Sequence, residues 1–450
     1  MGRGYEMALT GLQIFKLMPK TNCKECGHPT CLAFSMALAG AKISLDACPH
    51  ASDEAKEALG AAAAPPVAKV VYGAGDKARA MGEETVLFRH DKQFFQPTRL
   101  AVTISDFLDD KGFDDRLAEI NDLVFERVGE KVQIDGIALL YDSGDPAVFA
   151  RRAADVAVKG AFAPVLVCES AEIVAGALEA CHREKPLIHG ANEENWEAMA
   201  ALAAKYDCPL TVSAPDIDRL DALVVKVSAI TKNLVIGVSA DAPARKLADL
   251  TQIRRQAIRR RIRGLGYPSI VSVCGKSPAA QAAEASAYIA KYGSLIIIDN
   301  ADKAGILPLC ALRQNLFSDP QKPAQVPPGI YPIGEPDADS PVYCTTNFSL
   351  TFYTVEGELQ SARIPSWIIA TPTDGTSVLT AWASGKFTAE KIAEFMEEID
   401  LNSKIRHRNI VIPGYVAVLK APLEEKSGWK VIVAPNEASG LPAFAKANFA

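Results

Sequence analysis

Eight short apolar runs recur through the middle of the chain and constrain its fold more than any other feature. They are Leu100–Ile104, Gly136–Leu140, Pro164–Val167, Pro186–Ile188, Pro209–Val212, Leu234–Ile236, Ser269–Val273 and Leu295–Ile298, with starts 22 to 36 residues apart. Each is bounded by turn residues and followed by a stretch of helical period, such as 145–159, 195–205 or 279–291. Eight strand–helix units at this spacing predict a (β/α)8 TIM barrel. Function in such a barrel would lie at strand C-termini, here Asp106, Asp142, Glu169, His189, Ser213, Ser239, Cys274 and Asp299. These make no metal or catalytic pattern beyond what polar strand ends usually give.

A second feature lies ahead of the barrel. Cys23, Cys26, Cys31 and Cys48 are four of ten cysteines and follow a C-x2-C-x4-C-x16-C-P pattern. Four thiolates at short spacing suit tetrahedral zinc or a [4Fe-4S] cubane. Three ligands crowded on one loop with a distant fourth before a proline is the commoner iron–sulfur layout. Unligated or disulfide-linked thiols are the remaining alternative, and nothing here reads as a secretory signal. His28 and His50 beside the ligands are expected in an outer shell or at the surface. Leu12, Ile14, Phe15 and Leu17 predict an apolar helical stripe, 32–45 a second helix and 51–63 a third.

The run ending at Pro65-Pro66 predicts a linker, which divides the chain into a cluster domain (1–63), a linker (64–66) and a barrel domain with an N-terminal hairpin (67–317). In that hairpin, 67–72 and Glu84–Phe88 are the expected strands. Gly73-Ala-Gly75-Asp-Lys-Ala78 imitates a dinucleotide fingerprint but ends in alanine and carries an acid, so a turn is expected. Arg254, Arg255, Arg259, Arg260, Arg261 and Arg263 predict a solvated basic helix face.

Seven prolines between Ser318 and Pro341 predict a second linker, followed by a final domain at 342–450. A hairpin of 349–355 and 358–364 about Glu356-Gly357, then strands at 367–371, 409–413 and 430–434 alternating with helices, predict a doubly wound α/β domain. Ligands of such sheets bind beyond the strand C-termini, here 371–377, 413–415 and 435–440. The six other cysteines are scattered and read as buried thiols. A net charge of −6 argues against general nucleic-acid binding, and no apolar run approaches the roughly 18 residues of a membrane helix, so a soluble cytoplasmic protein is expected.

The cysteine module, the eight units and the sequence from Thr373 to Phe387, TDGTSVLTAWASGKF, together resemble the large (gamma) subunit of the corrinoid iron–sulfur protein of the acetyl-CoA synthase/decarbonylase system. The resemblance covers the chain from Leu9 onward. It implies a [4Fe-4S] cluster on Cys23, Cys26, Cys31 and Cys48, a cobamide on the C-terminal domain and a small barrel subunit that completes a heterodimer. Corrinoid contacts are expected at Gly375, Thr376, Ser377, Thr380, Gly414, Tyr415, Ala434 and Gly440. Only His407 lies in the last domain, outside any Asp-x-His-x-x-Gly loop, so cobalt is expected base-off without a protein imidazole. No side chain is expected to be catalytic, because cobalt is the reactive atom. The expected function is a methyl carrier: a methyl group is taken on Co(I) from methyltetrahydrofolate through a separate methyltransferase and passed to the nickel centre of acetyl-CoA synthase, while the cluster restores Co(I) from Co(II). A reductive activator is a further expected partner. A cluster-bearing electron-transfer or scaffold subunit without corrinoid is the alternative.

Overall fold

The computed structural model describes residues 11–39, 43, 45–52, 55, 65–319 and 323–449, except the side chain of Asp46. The expected helix at 51–63 and the boundary at 63–64 lie almost wholly outside these residues. Two compact units form: Met1–Phe125 with Val132–Phe317, and Glu126–Lys131 with Ser318–Ala450. Among the described residues no helix is long and apolar enough to cross a membrane.

In the first unit, helices Gly11–Leu17 and Cys31–Ala39 pack through Ile14, Phe34 and Leu38, with Met18 and Leu45 closing the same apolar cluster. Leu12 and Leu17, expected in the buried stripe, point outward at 63% and 41% exposure. A hairpin follows, β1 (Val70–Tyr72) against β2 (Arg79–Met81). The returning strand is thus Arg79–Met81, not the expected Glu84–Phe88. Glu84 is drawn out of any ladder because its buried carboxylate accepts from the Phe95 and Gln96 N–H groups and faces Arg254 at 3.3 Å. Arg254 is in turn buried over the Tyr292 ring, so the basic helix is not wholly a solvated face.

All eight predicted barrel strands form, and they close in parallel. They are β3 (Arg99–Ser105), β6 (Gly136–Leu140), β7 (Ala163–Val167), β8 (Leu187–Ala191), β9 (Leu210–Ser213), β10 (Leu234–Val238), β11 (Ser269–Ser272) and β12 (Leu295–Ile298), with β12 pairing back to β3. A small ribbon of β4 (Val124–Arg127) and β5 (Glu130–Gln133) precedes β6. Helices start where the sequence supplies caps: Asp145 accepts from the Ala147 N–H ahead of Pro146, and Ser277 from Ala280 ahead of Pro278. Val70, Tyr72 and Met81 of the hairpin join Ala138, Val165, Leu187, Val235 and Ile297 in one buried cluster, so the hairpin plugs an end of the barrel.

The second unit holds a five-stranded sheet in the order β13-β15-β14-β16-β17, from β13 (Gly329–Ile333), β14 (Val342–Thr346), β15 (Ser366–Thr371), β16 (Asn409–Ile412) and β17 (Lys430–Val433). The last four are parallel, and β13 adds antiparallel at the edge. β13 falls inside the stretch expected as a linker. Its Pro332 has no N–H to give a further strand, which an edge position tolerates. Helices cover both faces. Ala381, Ile392, Phe395 and Leu423 pack on one, and Phe352, Leu359 and Leu441 on the other. The expected hairpin at 349–364 is instead a helix, Ser349–Ala362, in which Ser349, Phe352, Leu359 and Ala362 share the buried side.

Candidate functional site

The four cysteines come together. Backbone in the left-handed region at Asn22, Lys24 and Gly27 winds 23–31 tightly enough to gather three thiols on one loop. The Asn22 Oδ1 accepts from the Cys31 N–H at 2.8 Å and Thr30 Oγ1 from the Ala33 N–H at 3.0 Å, which caps the helix that starts at Cys31. Cys31 and Cys48 are buried and Cys26 half-buried in the apolar cluster, while Cys23 is exposed. Burial pushes the Cys48 thiol above its ordinary value, the other three thiols add to that, and the His50 backbone N–H opposes it. Four free thiols that repel one another's ionised forms suit a cationic centre, and these residues fit one. His50 Nε2 lies 3.0 Å from Glu25, and His28 stands edge-on to Phe34. His50 and Glu25 stand within 4.8 Å of the exposed Cys23 thiol, beside the set.

At three of the barrel's strand ends, Asp106, Ser239 and Asp299, the polar groups are spent on structure. Asp106 Oδ1 accepts from the Asp142 and Ser143 N–H groups, both at 2.7 Å, and Asp299 accepts from the Gly275 N–H. Ser239 donates to the Ala214 carbonyl.

In the second unit β14 leads to β15 on one side and the chain then returns to β16 on the other, so the strand order reverses between β14 and β16. Only Tyr343 and Val411 pair there. A cavity of about 260 Å³, open to solvent, lies at this reversal, the usual ligand position of an open α/β sheet. Its walls come from the ends of β14, β16 and β17, from Thr351 and Val355, and from Ser377, Val378 and Leu379. Tyr343 and Thr345 are among the lining residues, and their hydroxyl oxygens are buried inside the protein with no hydrogen-bond partner among the described residues. A mainly apolar cavity with the polar side chains of Ser377 and Asn436 in its lining fits part of a large organic cofactor that bears hydrogen-bonding groups.

Of the expected contacts, Ser377, Tyr415 and Ala434 line the cavity. Gly414 lies behind the rim, where a Cβ would come within 2.5 Å of the Ala434 carbonyl and 2.8 Å of the Asn436 nitrogen. Gly375, Thr376, Thr380 and Gly440 are not in the lining. Gly375 turns at φ 67° against Pro323, Thr376 donates to the Thr373 carbonyl at 2.7 Å, and Thr380 accepts from the Ser377 hydroxyl at 3.0 Å. Tyr415 donates to Glu437, which raises its own pKa. The residues that sequence reasoning missed come chiefly from β14 and the helix Ser349–Ala362, and the alternation Val-Tyr-Cys-Thr-Thr at 342–346 was a usable strand signal. Behind the loop sits Asn347, 2% exposed. Its Oδ1 accepts from the Thr373 N–H and hydroxyl, each at 3.0 Å, and from the Gly375 N–H at 3.1 Å, and its Nδ2 donates to Gln325 at 2.9 Å. His407, the last domain's histidine, accepts from the Asn409 N–H on Nδ1 and meets the Ser340 carbonyl with Nε2 at 2.9 Å.

Residues 69–445 match a family model described as the CO dehydrogenase/acetyl-CoA synthase delta subunit, and 18–50, which hold all four cysteines, match an Fe-S cluster family. A barrel joined to a cysteine module and an α/β domain thus defines a subunit of that enzyme system. The chain is 49% identical to the corrinoid/iron-sulfur protein large subunit of Moorella thermoacetica over 99% of this chain and 100% of that one. It is 35% identical to the acetyl-CoA decarbonylase/synthase complex subunit gamma of Methanopyrus kandleri over 97% of each. The chain belongs to this family of corrinoid/iron-sulfur large (gamma) subunits. Among solved structures, the 7,8-dihydropteroate synthase of Vibrio fischeri ES114 covers 51% of this chain and 99% of its own at 10% identity, with a TM-score of 0.39.

Proposed function

We propose that the protein is a cytoplasmic corrinoid methyl carrier and the large subunit of a heterodimer. The observation that carries this reading is the mainly apolar cavity at the strand-order reversal, in a chain that matches, over its full length, a relative named for a corrinoid. The corrinoid, when bound, supplies a cobalt that can take up and release a methyl group, and a [4Fe-4S] cluster supplies single electrons that keep it reduced.

The chain's part is to bind, orient and shield. Cys23, Cys26, Cys31 and Cys48 hold the cluster. Ser377, Tyr415 and Ala434 at the rim, with Gly375, Thr376, Thr380, Gly414 and Gly440 shaping their loops, receive the corrinoid. His407 has both ring nitrogens engaged, which supports a base-off cofactor without a protein imidazole. Leu379, Trp382, Tyr415 and Val418 are exposed at 46%, 43%, 48% and 65%, an apolar collar suited to a capping small barrel subunit. The methyl group comes from methyltetrahydrofolate on a separate methyltransferase and leaves to the nickel centre of acetyl-CoA synthase, and a reductive activator restores the protein after oxidation.

EPR of the anaerobically purified heterodimer, before and after dithionite, tests this. A low-spin Co(II) signal without nitrogen superhyperfine splitting, together with a reduced [4Fe-4S] signal, is expected. A cluster signal with no cobalt in cofactor-replete protein would replace the carrier with an electron-transfer subunit.

A further inference from the structure

The loop 371–377 brings Ser377 to the cavity, and its internal bonds, from the Thr376 N–H and hydroxyl to the Thr373 carbonyl at 3.2 and 2.7 Å, close a local turn without tying that turn to the sheet. Asp374 and Gly375 both hold φ in the left-handed region, at 54° and 67°. Asp374 is exposed and pairs with Lys386 at 3.1 Å, a surface bridge of little holding power. What the loop does have is Asn347. One buried side-chain oxygen takes three donors from it, the Thr373 N–H, the Thr373 hydroxyl and the Gly375 N–H. The same amide reaches back with Nδ2 to Gln325 and, at 3.3 Å, to the Val326 carbonyl. The Asn347 backbone completes the junction, its N–H donating to the Thr371 carbonyl at 3.0 Å and its carbonyl accepting from the Val326 N–H at 2.9 Å. A carboxamide carries its acceptor oxygen and its donor NH2 on separate arms, so one side chain can accept from one segment and donate to another.

From this we infer that Asn347 is a positioning residue of the corrinoid site: it touches no cofactor, and by latching 371–377 to the end of β14 and to 325–326 it sets where Ser377 and the helix after it meet the ligand. The inference rests on the corrinoid reading of the cavity. Its acceptor function separates positioning from plain stability. Asn347→Asp keeps an oxygen for the three loop donors but sets a second oxygen against the Val326 carbonyl, so it destabilises the domain while keeping the latch. Asn347→Leu has similar volume and loses both.

The full chain co-expressed with its small subunit is titrated with cobalamin, and hydrogen exchange is followed for the peptide that spans 373–377. Asn347→Leu is expected to weaken cobalamin binding and speed loop exchange by about tenfold or more, the loss of buried hydrogen bonds converted to an equilibrium. Asn347→Asp is expected to lower the melting temperature yet hold both within about threefold of wild type, since its acceptor survives. Should the leucine variant not fold, Asn347→Ser, too short to reach the loop, takes its place. Equal loss of binding in the aspartate and leucine variants overturns the inference and leaves the carrier reading standing, as does fast loop exchange with unchanged binding. If wild-type protein binds no cobalamin while its loop stays protected, the carrier reading itself fails and this inference falls with it.

Discussion

His189 on β8 carries a buried Nδ1 with no hydrogen-bond partner, and burial pushes its pKa down to about 4. An unfolded histidine takes a proton near pH 6.5, which the folded one refuses, so between roughly pH 6.5 and 4 the unfolded chain binds more protons. The stability this contributes is present above pH 6.5 and is lost as pH falls toward 4. At about 1.4 kcal/mol per pH unit, two units of this window cost the wild type roughly 2–3 kcal/mol that His189→Gln does not lose. Chemical denaturation of both proteins at pH 6.5 and 4.5 measures the difference, and parallel pH slopes would refute it. Residues of this kind were only partly legible. The four cysteines announce themselves because ligand spacing is written in the sequence. The orphaned hydroxyls of Tyr343 and Thr345 do not, because lacking a partner is a property of the packed neighbourhood. Gly375 and Thr376 are expected contacts from their place beyond a strand C-terminus and from the family resemblance, yet their backbone and hydroxyl are turned into the loop itself.

Elements were legible where one period dominated. The barrel strands are continuous apolar runs between punctuating residues, and all eight formed. The helix Ser349–Ala362 was hidden because Thr, Phe, Tyr and Val crowd its first half and Glu356-Gly357 resembles a hairpin turn, whereas burial of Phe352, Leu359 and Ala362 decides for the helix. β13 was hidden among prolines, which an edge strand accommodates. The β1–β2 hairpin yields a prediction of its own. Its Arg79 meets Asp135 at 3.3 Å, beside Arg99 at 3.3 Å and Arg313, so one buried carboxylate serves three guanidinium groups. Tyr72 of the same hairpin is fully buried with an unpartnered hydroxyl. Asp135→Ala strands buried cations and is expected to destabilise by about 3–5 kcal/mol. Tyr72→Phe removes only an unsatisfied group and is expected to be neutral or to stabilise by about 1 kcal/mol. Urea midpoints of the two variants test this, and a loss above about 2 kcal/mol for Tyr72→Phe would mean that its hydroxyl has a partner in solution.

At the scale of the whole chain, the two proposed cofactor sites are built in different units from different cores. The thiols stand among Ile14, Met18, Phe34 and Leu38, and the cavity is formed within 343–441 over the sheet of the second unit. Among the described residues the apolar cluster around the thiols and the lining of the cavity share no side chain, so loading of one should not require loading of the other. Cys31 is the sharpest place to separate them, because it is buried and begins a helix already capped by Asn22. Cys31→Ala therefore removes a ligand while leaving the fold's own hydrogen bonds in place. Iron is expected to fall well below the roughly four per chain of a cubane, while cobalt per chain and its Co(II) EPR line shape stay at wild-type values. Protein oxidised to Co(II) should then be recovered by a strong chemical reductant but not by a donor that works through the cluster. Loss of cobalt along with iron, in a variant whose circular dichroism matches wild type, would mean that the cluster supports the corrinoid site itself, and the two-core account of the chain would be wrong.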